Sequence, residues 1–310
     1  MTTIPSEERL DRWSAWSDRL NPILVREIVQ AVRGRAFPLT VLGALAICVV
    51  IAITVASGGE ANESAGRNAF SAGLATLAPL LLFVVPMQAY QSMRLELGRG
   101  IVEQLFLSRL RPRSIVLGKL LAAMVQFVLY VSVIAPLLAT SYLLRGVDLP
   151  TIALSLAFAF VFNLAATAAA ISAAAQAIFP AMQGFANVAI AFGLGMMTCV
   201  TMVMIASGEY LRELGQLMRS AEFGMVTALA IAGAVTGTVL SSLTAQTFLL
   251  HAYENRSTGF RVFLFAIVAL AFGWMLTFVD AAMWSDVTYG LLLFLVLFGT
   301  VFGIFMVTEQ

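Results

Sequence analysis

The side chains able to do covalent or metal chemistry are few and scattered. There is one histidine, His251, and there are two cysteines, Cys48 and Cys199, each alone inside an apolar run. Lone cysteines in separate apolar runs make neither a disulfide framework nor a zinc spacing. No HExxH pattern accompanies His251, which follows a long apolar run, where a protonated imidazole suits a helix C-terminus. The only fragment resembling a phosphate loop is Gly118-Lys119. Leu120 follows it, and Arg113 stands where the first glycine of the loop belongs. These readings exclude ATP hydrolysis by this chain, predict that it is not an enzyme, and leave it without catalytic, cofactor-binding or metal-ligating residues.

Two other groups of residues are able to recognise something. Amides lie inside the apolar runs: Gln126, Asn163, Gln176, Asn187 and Gln246. They serve either as hydrogen bonds between helices or as the lining of a substrate path, for which Gln126, Asn163, Asn187 and Gln246 are the candidates. The second group is the stretch 94–121, which holds Arg94, Arg99, Arg109, Arg111, Arg113 and Lys119, a third of the 18 basic residues. Charged side chains are expected only near the ends of the apolar runs, Lys119 at one end of its run and Asp280 at the end of another. Ion-driven transporters carry buried ionisable groups on their pathway, so this placement speaks against an ion relay.

The elements that position these residues follow from composition. Of 310 residues, 60% are hydrophobic and 11% charged, against about 25% charged in a soluble domain. The chain therefore reads as all-α and polytopic, an integral membrane protein. Residues 6–20 predict a short surface helix with Ser6 as N-cap and with Trp13 and Trp16 at the headgroup level. Asn21-Pro22 opens an interfacial amphipathic helix to Arg35. It is expected to place Ile23, Leu24, Ile28 and Ala31 opposite Arg26, Gln30 and Arg33. Eight spans are expected at about 38–57, 71–91, 115–144, 151–178, 185–207, 223–249, 262–283 and 288–307, each long enough to cross a bilayer. A polar loop covers 58–70, a tight turn Arg145–Pro150, and an amphipathic segment 208–222. The small residues after Ala165 predict close helix packing.

Charge orients this topology. Fourteen of the 18 Lys and Arg residues fall on the side of the N-terminus, the 94–119 stretch and the 251–261 loop; Arg67, Arg145, Arg212 and Arg219 fall on the other. The positive-inside rule then predicts a plasma-membrane protein with both termini in the cytoplasm and the 208–222 segment outside. Within the cytoplasmic stretch, residues 101–111 form a helical pattern with a broad apolar face of Ile101, Val102, Leu105, Phe106 and Leu110. A narrow polar strip of Gln104, Ser108 and Arg111 runs beside it. Pro112 ends that helix, and Ser114 is expected to cap the span that follows.

The string Arg99, Gly100, Glu103, Leu105, then Pro112, Ser114, Leu117, Gly118, Lys119, Leu120, resembles the coupling-helix region of ABC-2 type transporter permeases. The opening Asn21-Pro22-Ile23-Leu24-Val25-Arg26-Glu27 is similar to the start of such permeases, and the resemblance extends by topology over about 20–250. It implies three regions: 1–37, cytoplasmic amphipathic and interfacial helices; 38–250, a six-span permease core with a coupling helix at about 98–113; and 251–310, a cytoplasmic loop and an additional transmembrane hairpin. The sequence departs from the family in the two extra spans, where Gly299 and Gly303 suggest packing, and in Ile101, which stands where the family has threonine.

The resemblance further implies the membrane-spanning subunit of an ATP-driven exporter. Its coupling helix, with Arg99, Gly100, Glu103, Gln104, Leu105, Ser108, Arg109 and Arg111, docks on a separate ATP-binding subunit. That subunit holds ATP and Mg, and the permease forms a homodimer or a heterodimer with a second permease. Membrane lipids are the other partners, and no nucleic acid is expected. Two alternatives remain open from the residues alone: a membrane anchor or assembly subunit that binds a cytoplasmic protein without transport, and a secondary transporter.

Overall fold

The computed structural model describes residues 22–34, 36–57, 63–98, 112–176, 180–220 and 223–249. Among these the protein is helical throughout, and six helices are long and apolar enough to cross a membrane. The chain divides into two units, 1–257 and 258–310. The expected helix over 6–20, the helix over 101–111, the 251–261 loop and the spans at 262–283 and 288–307 lie outside the described residues.

Helix α1 is Pro22–Arg33, with Arg33 in the last turn where the helix dipole favours a cation. It is shorter than the expected 22–35, and its inward line differs from the expected one. Ile23 is buried as anticipated, but the next inward position is a carboxylate, Glu27, while Val29 and Val32 are exposed. Helix α2, Ala36–Ser57, is apolar on every side, and its 22 residues make about 33 Å of helix, enough to span a bilayer. Its outward face leaves Leu39, Leu42, Val49 and Ile53 open. Its inward face is fixed by Ala44 and by Thr40. The Thr40 hydroxyl donates to the Phe37 carbonyl and shares a 2.8 Å hydrogen bond with the Tyr130 hydroxyl.

The second span starts earlier than the expected 71. Helix α3, Glu63–Pro79, a π-helical turn at Leu80–Val84, and helix α4, Val85–Gly98, form one rod. The loop expected over 58–70 is shortened because Ala69 and Phe70 are fully buried, a gain that needs residues 63–70 to be helical. The widened turn sits between Pro79 and Pro86. In a regular helix the Pro86 ring would crowd the carbonyl four residues back and leave it without a donor. A π turn at this point gives up little, and Val85 donates to the Leu80 carbonyl across it.

Helix α5 is Pro112–Leu143, starting at Pro112 rather than after a Ser114 cap; proline at a first helical position gives up only an orphan N–H. Helix α6 is Leu149–Gln176, α7 is Pro180–Ala206, α8 is the amphipathic Glu209–Arg219, and α9 is Phe223–Leu249. The alanines of α6 do what their size predicts. Ala168, Ala170, Ala174 and Ala175 are buried, and α6 packs most extensively on α9 and α4. Successive spans run in opposite directions, so α1, Gly98, Pro112 and Leu249 share one end of the bundle. The turn at 144–148 and α8 share the other.

Two buried apolar clusters stack along the bundle. One, toward the α8 end, centres on Phe70, Leu77, Leu81, Tyr130 and Ile134. The other, toward the α1 end, centres on Tyr90, Met93, Val116, Ile171 and Ala245. At the α8 end the α3 backbone meets the 144–148 turn at a glycine pair. A Cβ added to Gly66 would lie 2.8 Å from the Gly146 Cα, and one added to Gly146 would lie 2.3 Å from the Arg67 backbone nitrogen. Gly146→Ala is therefore expected to lower the thermal midpoint of the detergent-purified protein, costing about 1–3 kcal/mol through forced displacement of backbone. Gly43→Ala, where an added Cβ meets nothing within 4 Å, is the matched control and leaves the midpoint unchanged or raised.

Candidate functional site

At the α1 end, four charges from three helices meet, three of them out of reach of water and the fourth, Arg26, half-exposed. Lys119 in α5 is 2% exposed, Glu96 in α4 is 5% exposed and Glu27 in α1 is 8% exposed. The Lys119 Nζ donates to Glu27 Oε1 at 2.7 Å and to Ser92 Oγ at 2.6 Å, and lies 3.1 Å from Glu96 Oε2. Ser92 in turn donates to the Glu27 carboxylate, its Oγ lying 3.1 and 3.0 Å from the two oxygens. Arg26 completes the set, 3.5 Å from Glu27 Oε1 and paired with Glu96. Two cations face two anions, so the group is electrically balanced. That balance is what allows it to be buried, since an unpaired ion in a low-dielectric interior costs several kcal/mol.

Each helix supplies its member for a local reason. Glu27 lies four residues after the buried Ile23 on the same face of α1. Ser92 and Glu96 are four apart on α4 and flank the fully buried Met93. Lys119 lies one turn beyond the fully buried Ile115 and Val116 on α5. The apolar packing of these neighbours presents all the polar partners to one point.

Beside the cluster is a cavity of about 310 Å³ between α1, α4 and α5, lined by Glu27, Gln30, Gln88, Ser92, Lys119 and Gln126 among others. Of the four candidate path amides, Gln126 alone lines it. Gln126 is buried, and its Oε1 has no hydrogen-bond partner among the described residues. Asn163 is fully buried in α6 with neither polar atom partnered among the described residues. Asn187 accepts a 2.6 Å hydrogen bond from the Tyr90 hydroxyl, an inter-helix role. Gln246 is half-buried in α9, and Gln176 ends α6 exposed.

Arg99, Gly100, Glu103, Gln104, Leu105, Ser108, Arg109 and Arg111 lie outside the described residues. Their two anchors do not. The segment leaves α4 at Gly98 and re-enters α5 at Pro112. The Glu96–Lys119 ion pair joins these two arms just inside their ends, and Glu27 ties both to α1. Comparison with family models, with curated proteins and with solved structures found no match.

The sequence reading placed Lys119 near the end of its span and anticipated no buried ionisable group. The position near the end is right, and the ammonium is nonetheless buried there because α1 folds over that end and closes it. The sequence does carry a signal. Glu27 is an acid on the otherwise apolar side of α1, and Lys119 is a lone cation among Val116, Leu117, Leu120 and Leu121. Two opposite charges stranded on apolar faces call for each other.

Removing Lys119 leaves two buried carboxylates with only the half-exposed Arg26 between them. Lys119→Met is expected to destabilise the detergent-purified protein by about 3–5 kcal/mol. Adding Glu27→Gln and Glu96→Gln to it should recover much of that loss, giving strong non-additivity in thermal unfolding. Additive effects would contradict the paired geometry.

Proposed function

We propose that this chain is the membrane-spanning permease subunit of an ATP-driven exporter of the ABC-2 type that its sequence resembles. It sits in the plasma membrane with its α1 end in the cytoplasm. The single observation that supports this reading is the ion cluster across the root of the 99–111 segment. A partner that only needs an anchor has no use for a rigid connection behind its docking helix. A partner that must move the bundle does. In this reading residues 101–111 dock on a separate ATP-binding subunit, which binds ATP and Mg and does the hydrolysis. The Glu96–Lys119 pair makes the two arms move together, and Glu27 carries α1 with them. A second permease copy, identical or related, completes the assembly.

A secondary transporter is the second reading, and the same cluster favours it, because two buried carboxylates and a lysine beside a polar cavity are groups of the kind that ion-coupled carriers use. The two differ in energy source. In proteoliposomes of the copurified complex, the exporter reading requires ATP hydrolysis that depends on this chain, whereas the carrier reading requires uptake driven by a proton gradient without ATP.

Two outcomes are expected. Leu105→Asp, and more mildly Glu103→Ala, should leave insertion near the unmodified level while reducing copurification of the ATP-binding subunit and the ATP turnover of the complex. Gln126→Ala should leave docking intact. Unchanged copurification and turnover in Leu105→Asp would remove the coupling role from this segment. For orientation, in a chain with Cys48→Ala and Cys199→Ala, a cysteine placed at Gln216 in α8 should react with an impermeant thiol reagent applied to intact cells. One placed at Ser108 should react only after permeabilisation; the reverse pattern would invert the topology.

A further inference from the structure

The α8 end of the bundle contains a second, chemically opposite cavity of about 420 Å³. Its floor is buried: Leu74, Leu77 and Leu81 from α3 and the π turn. Its rim is open: Phe162 of α6 and Met197 and Met204 of α7 line it and are each more than a third exposed. No charged residue lines it. A pocket of this size lies in the range that holds a small ligand. Because its rim lies on surface-exposed faces of membrane-crossing helices, the medium that reaches it is hydrocarbon.

The lining also has a direction. It runs from Leu74 to Leu82 on one wall and from Met197 to Ile205 on another, eight residues of rise or about 12 Å parallel to the helix axes. Of its polar lining residues, Tyr210 and Ser155 lie at the α8 end, while Thr201 lies midway and returns its hydroxyl to the Met197 carbonyl. Burial pushes the Tyr210 phenol up from its ordinary value, and the bond to Ser155 draws it partly back. The opposite end reaches the π turn, the kind of helix irregularity often found at functional sites. The methionines give the rim an adaptable surface. An occupant that matches is long, unbranched and apolar, lies parallel to the helices, and carries its polar group at the α8 end.

We propose that this cavity is a binding site for one acyl chain of a membrane phospholipid, drawn from the leaflet on the α8 side, with the ester region of the lipid at Tyr210. The site rests on the membrane-spanning fold alone and stands whichever energy source drives the protein. α8 is then a lid over the lipid's polar end, and the widened turn makes room for the chain terminus.

The test uses the full chain in nanodiscs of phosphatidylcholine containing a trace of phosphatidylcholine with a diazirine in the middle of one acyl chain. After photolysis, peptides are mapped by mass spectrometry. Adducts are expected to concentrate on 74–82 and 158–162, above the level on the exposed α2 face at Leu42 and Val49. Ala78→Phe with Ala159→Phe, which fills the cavity, should abolish the cavity adducts and leave those on α2. In the unmodified protein, equal labelling of both surfaces would overturn the proposal. So would cavity peptides left unlabelled by lipid and joined, in a parallel experiment with photoreactive methionine, to a second copy of the chain or to residues 258–310. If the doubly substituted protein does not fold, the distribution in the unmodified protein decides the question by itself.

Discussion

The constraint on which the rest depends is the burial of the Lys119 ammonium. A lysine seven residues into a membrane-crossing helix has two options: to reach toward the headgroup zone or to find anions within the protein. Here it takes the second, with Glu27 and Glu96 both in reach. That choice fixes α1 against the bundle, because Glu27 is its inward residue. It also fixes α4 against α5 just inside the segment that joins them. An ion cluster of this kind adds little net stability compared with an apolar core of equal volume. Its value is specificity of position: the charges are paired in one arrangement, and displacing Lys119 leaves two buried carboxylates to the half-exposed Arg26.

The two ends of the bundle are therefore built on different physics. The α1 end adds to its own apolar cluster directional, charged contacts among three helices, arranged around a polar cavity. The α8 end is held by close backbone approach at Gly66 and Gly146, by an apolar cluster and by the amphipathic α8, around an apolar cavity. Dispersion and shape hold the second end, so it tolerates repacking as long as volume is conserved. The charged contacts of the first end do not: they are either made or broken.

Much of this fold was legible in the residues, and the reasons are uniform. The first six spans and α8 follow from runs of apolar residues and from one strong amphipathic pattern, both local properties. Errors fall where a long-range contact decides. The second span begins at Glu63 because Ala69 and Phe70 have a buried surface to meet. α5 begins at Pro112 because proline fits a first turn better than a serine cap two residues later. The orientation of α1 is set by a carboxylate whose partners lie 65 and 92 residues away, which no helical wheel can reveal. The amides show the same limit: their type marks them as inter-helix residues, but only the packing separates Asn187, paired with Tyr90, from Gln126, which faces a cavity.

The central claim is that motion at 99–111 reaches α1 through Lys119. Hydrogen–deuterium exchange of the 22–33 amides tests it most directly, measured in the membrane-reconstituted complex with the proposed ATP-binding subunit, with and without a non-hydrolysable ATP analogue. The account predicts that nucleotide changes α1 exchange in the unmodified protein. In the variant Lys119→Met, Glu27→Gln, Glu96→Gln, which keeps only the half-exposed Arg26 of the four charges, that response is lost while the subunit stays bound. An α1 response of the same size in both proteins would contradict it.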